Sequence, residues 1–225
     1  KEALYGASNY SPLPVVLEKG EGAYLWDIDG NKYLDMMSAY SAVSHGHSHP
    51  ELVKTLHEQA KKLAISSRAF YTEPFAEYIE KLSKISDFES VLPMNTGAEA
   101  VETAIKAARR WGYFTKGIEK DCAEIIVAEG NFHGRTTTII SFSTDELCRN
   151  GFGPFTTGFK IIPYNDSQAL EQAITKNTVG FLVEPIQGEA GVKIPDDNFL
   201  KECREITKKN NVLLMVDEIQ TGLGR

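Results

Sequence analysis

From about residue 91 the chain repeats one unit, a short apolar run followed by an amphipathic helical stretch, and this succession more than any other feature limits the folds open to it. The runs at 124–128 (EIIVA), 160–163, 179–183 (VGFLV) and 212–216 (VLLMV) are apolar without alternation. Such strands are covered on both faces, as in parallel sheets. The stretches between them, at 98–111, 167–175 and 199–208, carry apolar residues at helical spacing, with Val101, Ala104, Ile105 and Ala108 on one side of the first. A further short strand is predicted at 91–94, and 212–216 is the run expected to be most deeply buried. The fold class is therefore α/β, a mostly parallel sheet with helices on both faces. Upstream, segments 13–17, 23–27 and 32–36, with a turn at Asp29-Gly30-Asn31, predict a small meander. Helices follow at 50–64, with Leu52, Val53, Leu56, Ala60 and Leu63 inward, and at 74–85, with Phe75, Tyr78, Ile79 and Leu82 inward.

Composition removes several classes of function. The 225 residues are 42% hydrophobic and 24% charged, which argues against disorder or coiled coil. Thirty-one acidic and 24 basic residues give a net charge of −7 without long single-sign runs, so nucleic acid is not an expected partner. No stretch of about 18 apolar residues occurs, and no membrane partner is expected. The first residues lack the basic-then-apolar layout of a secretory signal. Three cysteines, Cys122, Cys148 and Cys203, fit neither a disulfide framework nor a zinc site and favour a reducing compartment. The run His45-Gly46-His47-Ser48-His49-Pro50 invites a metal reading, but Gly46 and Pro50 make it a turn leading into a helix, and no metal is expected.

In an open sheet of this kind ligands sit beyond the carboxyl ends of the strands. After 91–94 comes Asn95-Thr96-Gly97-Ala98-Glu99-Ala100, either an anion cradle made by first-turn N–H groups or an ordinary capped helix start. It is neither a nucleotide P-loop nor a dinucleotide fingerprint. After 124–128 comes Gly130-Asn131-Phe132-His133-Gly134-Arg135, which offers a flat ring for stacking and a guanidinium for a carboxylate, or else a surface loop with a solvated Arg. Glu184 and Glu189 lie on the Gly-rich loop after 179–183. Asp217 follows 212–216; a carboxylate fixed there is costly unless something positive pairs with it, such as a protonated heterocyclic nitrogen, the alternative being a cap on the next segment. Four strand ends thus deliver an anion cradle, an aromatic plate, an Arg and an Asp to one rim.

The motifs Thr96-Gly97-Ala98-Glu99-Ala100, Gly130-Asn131-Phe132-His133-Gly134-Arg135, Val183-Glu184-Pro185-Ile186-Gln187-Gly188-Glu189 and Val216-Asp217-Glu218-Ile219-Gln220-Thr221-Gly222 together resemble the class III pyridoxal-phosphate aminotransferases over nearly the whole chain. Asn9-Tyr10-Ser11-Pro12-Leu13-Pro14, Ser38-Ala39-Tyr40-Ser41-Ala42-Val43 and Gly151-Phe152-Gly153-Pro154-Phe155 resemble members acting on the δ-amino group of ornithine more than those acting on acetylornithine or 4-aminobutyrate. The resemblance implies the type I fold of pyridoxal-phosphate enzymes, with residues 1–46 contributing to a small domain and 47–225 forming an incomplete cofactor-binding large domain. It implies pyridoxal 5'-phosphate as cofactor, ornithine and 2-oxoglutarate as substrates, a homodimer, and a cytoplasmic location, or the mitochondrial matrix in a eukaryote.

The roles it implies fall on residues already singled out. Asp217 would keep the pyridine nitrogen protonated and is the catalytic candidate; Thr96, Gly97 and Ala98 would hold the phosphate. Phe132 would stack on one ring face and Ile219 on the other, Gln220 would bond the phenolic oxygen, and His133 would lie at the cofactor without a catalytic role. Tyr10 and Arg135 would hold the α-carboxylate of ornithine, Tyr40 would shape that pocket, and Glu189 would mask a downstream arginine until an α-keto acid arrives. The Schiff-base lysine of such enzymes would fall roughly thirty residues past Asp217, beyond Arg225, so the sequence is expected to be part of a longer enzyme, the alternative being a non-catalytic protein that keeps the fold.

Overall fold

The computed structural model describes residues 2–7 and 9–223 and divides into two compact units, Lys1–Ile85 and Ser86–Gly224.

The first unit opens with a single turn, α1 (Glu2–Tyr5), and an antiparallel meander of β1 (Leu17–Glu21), β2 (Tyr24–Asp27) and β3 (Lys32–Leu34) in that spatial order. The first strand begins at Leu17, not at residue 13: Pro12 and Pro14 lack the N–H that a ladder needs. Asp27 closes the β2–β3 turn, accepting hydrogen bonds from Tyr33 OH at 2.7 Å, Asn31 Nδ2 at 2.9 Å and the N–H groups of Asn31 and Asp29. Those donors, the Tyr33 hydroxyl first, pull its pKa down to about 2. Residues Ser38–Ser41, α2, form a left-handed turn, with φ of 49°, 46°, 56° and 70° in succession. Helices α3 (Pro50–Lys62) and α4 (Glu73–Ser86) follow at the expected places. Their apolar stripes are less covered than the periodicity suggests. Leu52, Val53, Leu56 and Leu63 of the α3 stripe are exposed, as is Tyr78 on α4, whereas Phe75, Ile79 and Leu82 are half-buried. Periodicity reports which face is apolar and says nothing of whether a partner lies on it.

The second unit is a three-layer α/β sandwich. It starts with α5 (Gly97–Trp111), which runs into a π-helical turn at Gly112–Lys116. Then come β4 (Glu124–Ala128), the short helices α6 (Thr137–Ile140) and α7 (Glu146–Arg149), β5 (Phe159–Ile162), α8 (Ser167–Ala173), β6 (Thr178–Val183), α9 (Phe199–Lys209) and β7 (Leu213–Val216). The strands pair in parallel in the order β5-β4-β6-β7. Alternate strand residues feed two cores. Ile125, Val127 and Leu182 pack with Val101, Ile105 and Ala108 of α5 and with Ile139 and Phe142; Ile126, Ala128, Phe181 and Val183 pack with Leu170 of α8 and Phe199 and Cys203 of α9. Each Val, Leu, Ile or Phe side chain so buried contributes roughly 1.5–3 kcal/mol. Two strand expectations are corrected. Residues 91–94 form no strand: Pro93 cannot donate to a ladder and Leu92 is exposed. Strand β6 is buried throughout, whereas β7 lies at the edge of the sheet among the described residues, half-buried and exposed at Val216, because there it has a neighbour on one side only. Among the described residues no helix is long and apolar enough to cross a membrane.

Candidate active site

The carboxyl ends of β4, β6 and β7 and the start of α5 meet at one rim of the second unit. The α5 start is built by a capping box: Thr96 Oγ1 accepts the Glu99 N–H at 3.1 Å, while Glu99 Oε2 accepts the N–H groups of Thr96 at 3.1 Å and Asn95 at 2.9 Å. This leaves the N–H groups of Gly97 and Ala98 at the positive end of a fifteen-residue helix without an acceptor among the described residues. Gly97 is closely approached: a Cβ there would lie 3.1 Å from Ile219 Cγ2, tight enough that Ile219 would have to shift. Gly134, at φ +118°, is equally confined, its Cβ position 2.9 Å from Ala98 Cβ. The loops after β4 and β7 therefore both press on the first turn of α5.

Asp217 ends the pairing of β7 with β6, its N–H donating to Val183 O at 2.9 Å. Its side chain is 7% exposed; Oδ1 accepts the Ile219 N–H at 3.1 Å and Oδ2 lies 2.6 Å from Nδ1 of His133, whose side chain is fully buried. Beside an ionised Asp217, Nδ1 must carry the proton and Nε2 is left as an acceptor; Nε2 is buried and has no hydrogen-bond partner among the described residues. Two of about four acceptor sites of the carboxylate are used, so room remains for another donor.

Behind these groups lies a layer whose residues stand mostly within the motifs, Tyr164 apart, and to which the sequence assigned no role. Glu184, the first residue after β6 and 8% exposed, accepts the Phe132 N–H at 3.0 Å. Burial raises its pKa to about 7; the Phe132 N–H and the nearby His133 oppose that rise, and Asp217 and Glu189 add to it. Tyr164 OH donates to the carbonyls of Glu184 and Pro185, at 3.2 and 3.0 Å. Asn131 Nδ2 bonds the carbonyls of Ala128 and Phe142, and Gln187 Nε2 that of Glu129, so the β4 and β6 loops are tied together. Glu184 carries the same signal as Asp217, a carboxylate placed immediately after a wholly apolar strand.

The structure brings Gly97, Ala98, Phe132, His133, Asp217 and Ile219 into this rim, with Thr96 as the cap. The Phe132 ring is 39% exposed, accessible for stacking. Gln220 lies against Gly188, where a Cβ would meet Gln220 Oε1 at 1.7 Å. Glu189, on the same loop, and Arg135 are exposed. Tyr10 and Tyr40 belong to the first unit and are 61% and 62% exposed. The partner foreseen for Asp217 was a protonated ring nitrogen; the one found within the chain is His133. Unused helix-start donors beside a small-residue contact, and a buried carboxylate with acceptor capacity left, suit a flat, anionic, protonated heterocycle.

The model of the family "Aminotransferase class-III" matches residues 5–225. The chain is similar to the ornithine aminotransferase of Brevibacillus brevis, at 60% identity over 98% of this chain and 55% of that protein. Among solved structures it resembles the ornithine aminotransferase of Toxoplasma gondii ME49, with a TM-score of 0.97 and 46% identity over 99% of this chain and 53% of that one. It also resembles the acetylornithine aminotransferase of Elizabethkingia anophelis, with a TM-score of 0.86 and 57% identity over 98% and 54% of the two chains. The chain thus spans about half the length of the curated relatives it matches.

Proposed function

The chain belongs to the class III aminotransferases, and from that premise we propose that it works in a pyridoxal-phosphate transaminase that moves the δ-amino group of ornithine to 2-oxoglutarate, giving glutamate 5-semialdehyde and glutamate. One observation supports this most: Asp217 bonds both His133 and the N–H of Ile219, and the Ile219 side chain rests on Gly97 at the free end of α5. A carboxylate and an anion socket are thereby held in one frame.

When bound, pyridoxal phosphate supplies an electron-withdrawing ring that eases loss of a proton from the carbon bearing the amine. The chain's own residues have defined parts in that setting. Gly97 and Ala98 donate N–H groups to the phosphate, beside the Thr96 hydroxyl. Asp217 holds a proton on the ring nitrogen, and His133, donating from Nδ1, holds the Asp217 carboxylate in place. Phe132 and Ile219 flank the ring and exclude water from its faces; Gln220 bonds its phenolic oxygen. Tyr10 and Arg135 hold the α-carboxylate of ornithine so that the distal amine reacts, Tyr40 shapes that pocket, and Glu189 covers a cation until the keto acid arrives. Residues 1–46 go with a small domain and 47–225 with the cofactor domain. A homodimer in a reducing, cytoplasmic setting completes the proposal, in keeping with three free cysteines and bacterial relatives.

The similarity to an acetylornithine aminotransferase at 57% identity favours a second substrate, N-acetylornithine. Steady-state rates of the purified holoenzyme with each amine and 2-oxoglutarate decide between them. Ornithine should give the higher kcat/KM, with glutamate 5-semialdehyde trapped by an aldehyde reagent. A higher value for N-acetylornithine would overturn the choice of substrate, and activity with neither would overturn the assignment.

A further inference from the structure

The segment from Asp35 to His47 is a closed loop whose two ends are fastened to each other and to the meander. At its start, the Asp35 N–H continues the β2–β3 ladder by bonding Ala23 O at 2.9 Å. At its end, His47 makes a two-way backbone bridge with Gly22, at 2.8 and 3.0 Å, and its ring lies on Gly20, where a Cβ would meet the imidazole at 2.8 Å. The side chains then join: His47 Nε2 is 2.7 Å from Asp35 Oδ2, with both groups largely shielded, at 22% and 10% exposure. The other carboxylate oxygen, Oδ1, accepts the N–H groups of Met37 and Ser38, at 3.0 and 2.9 Å. His47 is the first cause holding the Asp35 carboxyl below its usual range, followed by the Ser38 N–H.

Immediately beyond Ser38 the backbone enters the left-handed turn, in which Ser38, Ala39, Tyr40 and Ser41 all have positive φ. No glycine is present to make that conformation easy. Non-glycine residues persist in such a state only where their surroundings fix them, and such strain gathers at functional sites. Within the turn Tyr40, Ala42 and Val43 donate N–H groups to Met37, Ala39 and Ser38 carbonyls; the side chain that anchors its entry is Asp35, and the side chain that bonds Asp35 is His47. Of the neighbouring histidines, His45 and His49 face each other edge-on at 6.4 Å, whereas His47 turns away to the carboxylate.

We propose that Asp35 and His47 are positioning residues, a clasp that holds the 38–41 turn in its left-handed form and thereby sets the placement of Tyr40 and the preference for ornithine among ω-amino substrates. This rests on the role of Tyr40 given above, and the test separates the two. In the holoenzyme, Asp35→Ala and His47→Ala should raise KM for ornithine about ten-fold while kcat changes by less than about two-fold, because the loop positions substrate without touching the reacting atoms. Preference for ornithine over 4-aminobutyrate should fall with it. His47→Gln keeps an N–H donor near the Nε2 position and should retain most of the wild-type KM. Ala39→Gly, which removes the left-handed penalty at φ 46°, should recover part of the loss in Asp35→Ala.

Limited proteolysis supplies a readout independent of substrate, with faster cleavage inside 35–47 expected in both alanine variants and wild-type protection in His47→Gln. Unchanged KM and unchanged cleavage in the alanine variants would overturn the clasp, as would a His47→Gln enzyme no better than His47→Ala. Should Asp35→Ala fail to fold, the comparison of His47→Gln with His47→Ala decides alone. Tyr40→Ile with an unchanged ornithine to 4-aminobutyrate ratio would remove the role of Tyr40 and the substrate half of the proposal, leaving the proteolysis result to judge the clasp.

Discussion

At the rim of the sheet three carboxyl and imidazole groups share a small volume, and their environments divide the work. Asp217 has a donor on each oxygen, so Asp217→Asn has a specific chemical consequence. The amide can still accept the Ile219 N–H, but its NH₂ then faces His133 Nδ1 and forces the ring proton onto Nε2, which has no acceptor among the described residues. A buried N–H left unpaired costs about 1–3 kcal/mol. The variant should therefore keep its cofactor, melt several degrees lower, and lose transamination by on the order of 100-fold or more; cofactor absorbance, a melting curve and a single-turnover assay check the three parts. Glu184 gives a prediction of opposite character. Its folded pKa, raised by burial to about 7, exceeds the ordinary carboxylate value, so the folded chain binds the proton more tightly than the unfolded one. Stability from this group is full at pH below the unfolded pKa, is lost as pH rises through about 7, and is flat above it. A rise from 4.5 to about 7 corresponds to about 3 kcal/mol at most. Glu184→Gln, still able to accept the Phe132 N–H, should be more stable than wild type at pH 8.5 and no more stable at pH 4.5. Melting temperatures at the two pH values test this, and equal shifts at both would exclude it. Asp217 was legible because its motif stood at a strand end; its pairing with His133 was not, because the two are 84 positions apart and only the order of β4, β6 and β7 brings them together.

Elements announced themselves to the extent that their signals were local. The capping box at Thr96 and Glu99 and the helical period of α5 are written in consecutive residues, and the helix forms where they place it. Burial of β7 was misjudged because its apolar composition is the same whether a strand has one neighbour or two. The π-helical turn after α5 carried no readable signal at all; it is a tertiary fit. Gly112 lies so close to β6 that a Cβ would sit 2.2 Å from Val179 Cγ1, and Lys116, at the end of the turn, donates to Thr178 O at 2.6 Å. Contact with that strand, more than any preference of Gly-Tyr-Phe-Thr-Lys, sets the extra residue in the turn. Gly112→Ala should thus cost about 1–3 kcal/mol through overpacking, although alanine is the better helix former. In a Val179→Ala background, which vacates the clash, the same substitution should be close to neutral. A double-mutant cycle by chemical denaturation measures the coupling, and additive losses would mean that the contact is not the cause.

At the scale of the molecule, the division into two units separates what a ligand at the rim can stabilise from what it cannot. The meander and the 35–47 loop of the first unit are closed by their own bonds, from Asp27 to Tyr33 and Asn31 and from Asp35 to His47. The rim of the second unit is otherwise. Among the described residues it holds unused N–H groups at Gly97 and Ala98, a buried His133 Nε2 and Gln187 Oε1 without partners, and a part-exposed Phe132 whose N–H bonds a carboxylate of raised pKa. A scaffold carrying that many unsatisfied groups is stabilised by whatever binds there, by RT ln(1 + [L]/Kd), about 2.7 kcal/mol at a hundred-fold excess over Kd. Removal of pyridoxal phosphate from the holoenzyme should lower the melting temperature, and the loss should be uneven. Amide hydrogen exchange should quicken at 96–100, 130–135 and 217–220, where the loops after β4 and β7 press on α5, and stay unchanged across β1 to β3. The core strands β4 and β6 should also stay slow, since their side chains are buried in two cores that owe nothing to the rim. Uniform quickening over both units would mean that the cofactor holds the whole fold together, and no change at 96–100 would remove Gly97 and Ala98 from the phosphate site.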